Sequence, residues 1–169
     1  IEGAAITAVR IAGADHEFCS IPGVVEDVTD IVLNLKDVLL KTYVRDKVVL
    51  RVKAKGPGEV TASAIETGGN VEVLNPSTPL ATLDEDGELD MEIEVMTGRG
   101  FCPAEWNAEE EREIGTIPMD SVFSPVTRVN FLTENTRVGQ RTDYDKLILE
   151  VWTDGRLPPE QALTMAAAI

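Results

Sequence analysis

From Glu88 to Val95 polar and apolar residues alternate without a break: Leu89, Met91, Ile93 and Val95 on one side, Glu88, Asp90, Glu92 and Glu94 on the other. A period of two belongs to a β-strand with one face buried, so the chain must build a sheet over a core. Fully burying the four apolar side chains contributes about 6–12 kcal/mol, at about 1.5–3 each, before entropy is subtracted. The four acids on the open face repel one another, which calls for a cation or a basic neighbour close by.

Other segments fit this frame. Ile6–Ile11 alternates, with Thr7, Val9 and Ile11 on one face, and Lys47–Lys55 puts Val48, Leu50, Val52 and Ala54 opposite Arg51, Lys53 and Lys55. Glu59–Ser63 and Val71–Leu74 read as short strands, and Val126–Thr133 and Asp145–Thr153 as two later ones. Apolar residues at 24, 25, 28, 31, 32 and 35 follow a helical period, which predicts a helix over Val24–Lys36. Pro158-Pro159 opens a second helix whose apolar face, Ala162, Met165, Ala166 and Ile169, needs a partner. Gly98–Gly115 reads as a long, acidic, exposed loop, functional or mobile. Most strands are separated by turns rather than crossover helices, so the expected class is α+β with mainly antiparallel sheets and few helices. A composition change near Ser124-Pro125 suggests a boundary. The start inside a strand at Ile1 and the stop inside a helix at Ile169 read as an excerpt from a longer protein.

Thirty acidic against fifteen basic residues give a net charge of −15 and a pI near 4.4, a surface that as a whole repels nucleic acid. Twelve acids and two arginines fall within Asp84–Glu113, a stretch that a basic partner could use and that otherwise is simply solvated. No apolar run approaches the roughly 18 residues of a membrane span. No basic n-region marks a secretory signal, and two cysteines 83 residues apart suit a reduced, cytoplasmic setting better than a disulfide framework.

No segment completes a catalytic or metal-binding pattern. His16 and Cys19 have H-x-x-C spacing with Glu17 between them, but a zinc site wants four ligands and Cys102 supplies only a third. As a nucleophile pair, Cys19 and His16 lack activating basic neighbours. Asp84–Asp90 looks like a calcium loop, yet its glycine is fourth and Val95 stands twelfth, where glycine at six and glutamate at twelve are needed. Gly98-Arg99-Gly100 lacks the length and lysine of a phosphate loop. The expectation is no metal, no cofactor and no catalytic residue in this chain, and a role in binding or assembly.

Several blocks, in order, resemble one family. They are His16-Glu17-Phe18, Ile21-Pro22-Gly23-Val24-Val25-Glu26-Asp27, Asn34-Leu35-Lys36 and Gly98-Arg99-Gly100-Phe101 with Pro103-Ala104. Ile114-Gly115, Phe123-Ser124-Pro125-Val126 and Arg137–Leu147, which contains Gln140-Arg141-Thr142-Asp143-Tyr144-Asp145-Lys146-Leu147, complete the series. Over essentially the whole chain they resemble the N-terminal domain of the bacterial RNA polymerase alpha subunit. The resemblance implies an insert domain at residues 1–124, with strand 4–12 near the junction. It also implies the truncated C-terminal half of a dimerisation domain at 125–169.

It further implies a non-catalytic subunit of a nucleotidyltransferase complex that dimerises with a second alpha chain and recruits beta and beta-prime. His16, Glu17, Phe18, Ile21, Pro22 and Gly23 would face beta. Lys36, Met119, Ser124, Pro125, Arg128, Arg141, Thr142, Asp143 and Asp145 would face beta-prime. By residues alone, Arg141, Asp143, Asp145 and Lys146 read instead as a polar network capping a strand. Ala162, Met165 and Ile169 would form a dimer face, and Glu109, Glu110 and Glu111 a loop offered to transcription activators. The resemblance places DNA binding in a separate domain, with no DNA contact from this fragment and no membrane, in a bacterial cytoplasm where the polymerase gathers on the nucleoid. Glu2 stands where relatives usually have proline, and Cys19 and Cys102 where serine and valine are common. Two other readings stay open: an acidic module for a basic partner through Asp84–Glu113, and a small enzyme using Cys19, His16 and Glu17.

Overall fold

The computed structural model describes residues 1–108 and 112–169, so the expected activator residues Glu109, Glu110 and Glu111 lie outside the described residues. Along the chain run β1 (Glu2–Ile11), α1 (Val28–Lys36), β2 (Leu40–Thr42), β3 (Val48–Lys55), β4 (Gly58–Thr61), β5 (Ile65–Glu66) and β6 (Val71–Val73). Then come β7 (Pro79–Leu83), β8 (Glu88–Arg99), β9 (Phe101–Cys102), α2 (Ala104–Asn107), β10 (Thr116–Pro118) and β11 (Ser121–Val122). The last elements are β12 (Val126–Val138), β13 (Arg141–Thr153) and α3 (Pro159–Ala167). The chain divides into two compact units, Glu2–Ser124 and Pro125–Ile169 with Ile1.

In the larger unit the alternating acids and aliphatics lie in β8, flanked by β1 and β3 in an antiparallel sheet of order β10-β1-β8-β3-β5. Leu89, Met91, Ile93 and Val95 are 1% exposed or less. They share one core with Leu50 and Val52 of β3 and with Val28, Ile31, Val32 and Leu35 of α1. Those four helix positions are spaced i, i+3, i+4, i+7, the stripe that an amphipathic helix lays on a sheet. β1 departs from simple alternation. Ile6 pairs with Val95 and Ala8 with Glu94, leaving Thr7 as the extra residue of a bulge. The segment after β10 also crosses this strand: Met119 N donates to Thr7 O at 2.8 Å and Ser121 Oγ to Ile6 O at 2.7 Å. Residues on both sides of β1 are therefore buried.

Three expectations change. The helix starts at Val28, four residues later than its periodicity implies, because Val24 and Val25 are drawn to β7: Val24 bridges Leu83 and Val25 N donates to Thr82 O at 3.0 Å. The loop expected over Gly98–Gly115 holds the end of β8, then β9 paired with β11, then the single turn α2. Finally, β12 and β13 each span 13 residues and form one hairpin around Gly139-Gln140. Gly139 takes φ +64°, the left-handed value wanted at the first central position of a tight hairpin turn. Arg141, Asp143, Asp145 and Lys146 are strand residues beside that turn, not a capping network.

Cross-strand pairing in the smaller unit sorts the hairpin's faces. Val129↔Val151, Phe131↔Leu149 and Thr133↔Leu147 share one side, and Arg128↔Trp152, Asn130↔Glu150 and Glu134↔Lys146 share the other. Arg128 lies 4.7 Å over the Trp152 ring, and Asn130 donates to Glu150 at 3.0 Å. Among the described residues no helix is long and apolar enough to cross a membrane.

Candidate functional site

No catalytic geometry emerges at His16 and Cys19. The thiol sits 3.5 Å from both ring nitrogens, so the imidazole lies beside the sulfur rather than aiming one nitrogen at it. Cys19 and Cys102 are free thiols, and Cys102 Sγ donates to the buried Asn107 at 3.3 Å. Among the described residues no group of three or more His, Cys, Asp or Glu is placed to hold a metal ion. What the molecule does offer is a set of shaped surfaces.

The first is the loop between β1 and α1. His16, Glu17, Phe18 and Pro22 are exposed, and Phe18 is 78% open with its ring 6.3 Å from His16. The backbone beneath them is fixed. Val28 N donates to Cys19 O at 3.1 Å, Thr29 Oγ1 to Glu17 O at 2.7 Å and Asp84 N to Gly23 O at 2.9 Å. Ile21 is not on this surface: at 6% exposure it is the loop's anchor in the core.

The second lies at the far end of α1. Lys36 Nζ is 3.1 Å from Asp120 Oδ2, while Asp120 Oδ1 accepts from Ala104 N at 2.8 Å and so satisfies the start of α2. Behind them Asn107 Nδ2 donates to Met119 O at 2.6 Å and to Ser121 Oγ at 3.0 Å. Lys36 is thus partly engaged within its own unit, and Met119 is a core residue at 1% exposure, unable to meet a partner without opening the fold. Phe101, paired with Val122 across β9 and β11, and Trp106 on α2 stand open on this unit at 57%, 56% and 76%. No local signal in the sequence marks them, because nothing local separates an exposed apolar side chain from a buried one.

The backbone bond from Ala104, and then Lys36, hold the Asp120 carboxyl below the ordinary carboxylate range; Arg51 does the same for Asp90. Both contributions are in place above about pH 4, where the unfolded carboxylates are ionised, and fade as pH falls through the lowered folded values. Thermal melts should therefore be flat from neutrality to about pH 4.5 and fall below about pH 4. Asp120→Asn should flatten part of that acid limb, whereas an unchanged limb would place the acid sensitivity elsewhere.

The third surface is the outer face of the large sheet, where the repelling acids find their cations. Arg10 pairs with Glu92 and Glu113, Arg51 with Asp90, and Lys47 and Arg112 with Glu94. Among the described residues the cavity there, about 250 Å³, is bounded by three cations and three carboxylates, whose charges cancel.

The smaller unit supplies a fourth surface, an open apolar face. Val129, Phe131, Leu147 and Leu149 are 55%, 70%, 63% and 37% exposed on one side of the hairpin. Arg141, Thr142, Asp143 and Asp145 are exposed near its turn, with Arg128 at the other end of the same ribbon. Ser124 is half-buried and Pro125 buried. On α3 Met165 is 40% open, and Ile169, past the end of the helix, is 88% open, but Ala162, at 2%, is already covered and unavailable to a second chain.

Comparison with known proteins bears on these surfaces. Residues 9–124 match the family model described as RNA polymerase Rpb3/RpoA insert domain. All 169 residues align at 53% identity with the DNA-directed RNA polymerase subunit alpha of Carboxydothermus hydrogenoformans and at 53% with that of Symbiobacterium thermophilum. Against the same subunit of Desulforamulus reducens the identity is 54%. In each case the chain spans about half the relative's length, 54%.

Proposed function

Because the chain belongs to the RNA polymerase Rpb3/RpoA insert-domain family, we propose that it serves as part of the alpha subunit of a bacterial DNA-directed RNA polymerase. In this reading it is an assembly scaffold without chemistry of its own. The observation that carries the reading is identity above one half over every residue of the chain to subunits bearing that name. The physical picture supports it. A two-stranded ribbon with Val129, Phe131, Leu147 and Leu149 in water is marginal by itself and gains stability by being covered. The exposed loop at His16–Pro22 meets beta, the hairpin's turn region meets beta-prime, and the open apolar residues join the rest of an alpha dimer. DNA is contacted elsewhere, and the complex works in the cytoplasm on the nucleoid. The acidic-module alternative weakens because Asp90, Glu92 and Glu94 of β8 are paired with cations within the larger unit.

The test is affinity purification of the tagged full-length protein from its host at moderate salt. Two much larger chains in fixed ratio, with RNA-synthesis activity in the eluate, are expected. Phe131→Asp should abolish their recovery while leaving the larger unit folded, since a charge on that face cannot be buried unpaired. Recovery of the protein alone, or with small basic proteins released by salt, would overturn the reading.

A further inference from the structure

We propose that Glu26 and Thr82 form a clip that positions the His16–Gly23 loop, holding it in advance in the shape that its protein partner binds; the inference rests on the reading that this loop meets the beta subunit. Among the strands β7 pairs with β4 alone, along one edge. On its other edge Thr82 meets no strand. Its carbonyl accepts from Val25 N at 3.0 Å, and the Glu26 carboxylate accepts from Thr82 N at 2.6 Å and from Thr82 Oγ1 at 3.0 Å. A side chain and one amide thus take the place of a neighbouring strand and satisfy an edge that would otherwise be open. The arrangement also explains why Val24–Asp27 stays out of α1 although its apolar spacing is helical.

The clip stands at the loop's exit. Next to it Val24 bridges Leu83 and Asp84 N holds Gly23 O, while the far part of the loop is tied through Cys19 O and Glu17 O to the first turn of α1. The loop's tip, by contrast, packs on little: Phe18 is 78% exposed. Ordering an irregular loop costs backbone entropy, and the solvent-exposed bonds at the tip, such as Phe18 N to His16 Nδ1 at 3.2 Å, offset little of that cost. The hydrogen bonds at its base offset it. Apparent affinity scales with the fraction of molecules in the competent shape, so loss of the clip should appear as slower association with unchanged dissociation.

The experiment uses the full-length alpha chain and purified beta subunit. Thr82→Val keeps the shape and the amide but removes the hydroxyl donor; Glu26→Gln removes the charge that both donors share. Each is expected to speed amide exchange at Val25 and to slow association with beta about tenfold, as a competent fraction of about one tenth requires. Dissociation and association with beta-prime should stay at wild-type values, and Thr82→Ser should restore the rate. Phe18→Ala separates the two claims. If it weakens beta binding while both clip variants bind at the wild-type rate, the positioning role is overturned and the interface stands. If Phe18→Ala leaves beta binding untouched as well, the loop is not the interface and both fall.

Discussion

Replacing Gly23 by alanine is expected to destabilise the Glu2–Ser124 unit by about 3 kcal/mol and to lower its melting temperature by about 10 °C. Two costs add. Gly23 has φ +78°, where an L-residue loses about 1–2 kcal/mol. A Cβ there would also stand 2.5 Å from Gly87 Cα, and the obstruction is backbone rather than the end of a flexible side chain. Overpacking of that kind costs about 1–3 kcal/mol. The backbones around it are locked together: Gly56 N donates to Gly87 O at 2.8 Å, Gly87 N to Asp84 O at 2.9 Å and Asp84 N to Gly23 O at 2.9 Å. Gly68→Ala is the control, because its φ of +60° carries the conformational cost with nothing within 4 Å of the added carbon. Calorimetry of both variants should find the Gly68 change confined to about 1–2 kcal/mol. Equal losses would mean that the glycine contact at the loop's base does not constrain the fold.

Legibility in the sequence followed the range of the interaction. The β8 alternation and the Val28/Ile31/Val32/Leu35 stripe are local patterns set by backbone geometry, and both appear where the spacing puts them. The helix start is different. Val24 and Val25 fit the period equally well, and only β7, whose Thr82 lies 56 residues beyond Glu26, excludes them. The polar group at Asn107, Ser121 and Thr7 had no local signal, since Ser121 reaches Ile6 across 115 positions. Glu134–Tyr144, polar and without alternation, falls between the two expected strands, yet all of it but the Gly139-Gln140 turn is strand: an exposed ribbon needs no alternation there. Resemblance carried the candidate interface further than spacing did, but it could not separate surface from support. Phe18 stands in solvent, while Ile21, Met119 and Ala162, assigned to partner faces with it, are 6%, 1% and 2% exposed.

The acid row of β8 shows the same limit and supplies the second large effect. By alternation Glu88, Asp90, Glu92 and Glu94 are equivalent; in three dimensions they are not. Glu94 sits at the β1 bulge, where Thr7 Oγ1 donates to it at 2.9 Å, Arg112 Nη2 lies 3.0 Å away and Lys47 Nζ 3.5 Å away. The Glu94 and Arg112 side chains are only 13% and 12% exposed, whereas Glu88 is open to solvent. Removing one member of a buried pair strands the other, at about 3–5 kcal/mol. Arg112 is poorly placed to absorb the loss, since its buried Nε and Nη1 already lack acceptors among the described residues. Glu94→Ala is therefore expected to cost about 3 kcal/mol, and Glu88→Ala less than about 0.5 kcal/mol, in urea titrations of the two variants. The double variant Glu94→Ala with Arg112→Ala should recover part of the loss, because no buried charge is then left unpaired. If the two single variants unfold at the same urea concentration, Glu94 is solvated like its neighbour, and the sheet's charged face stabilises nothing beyond cancelling its own repulsion.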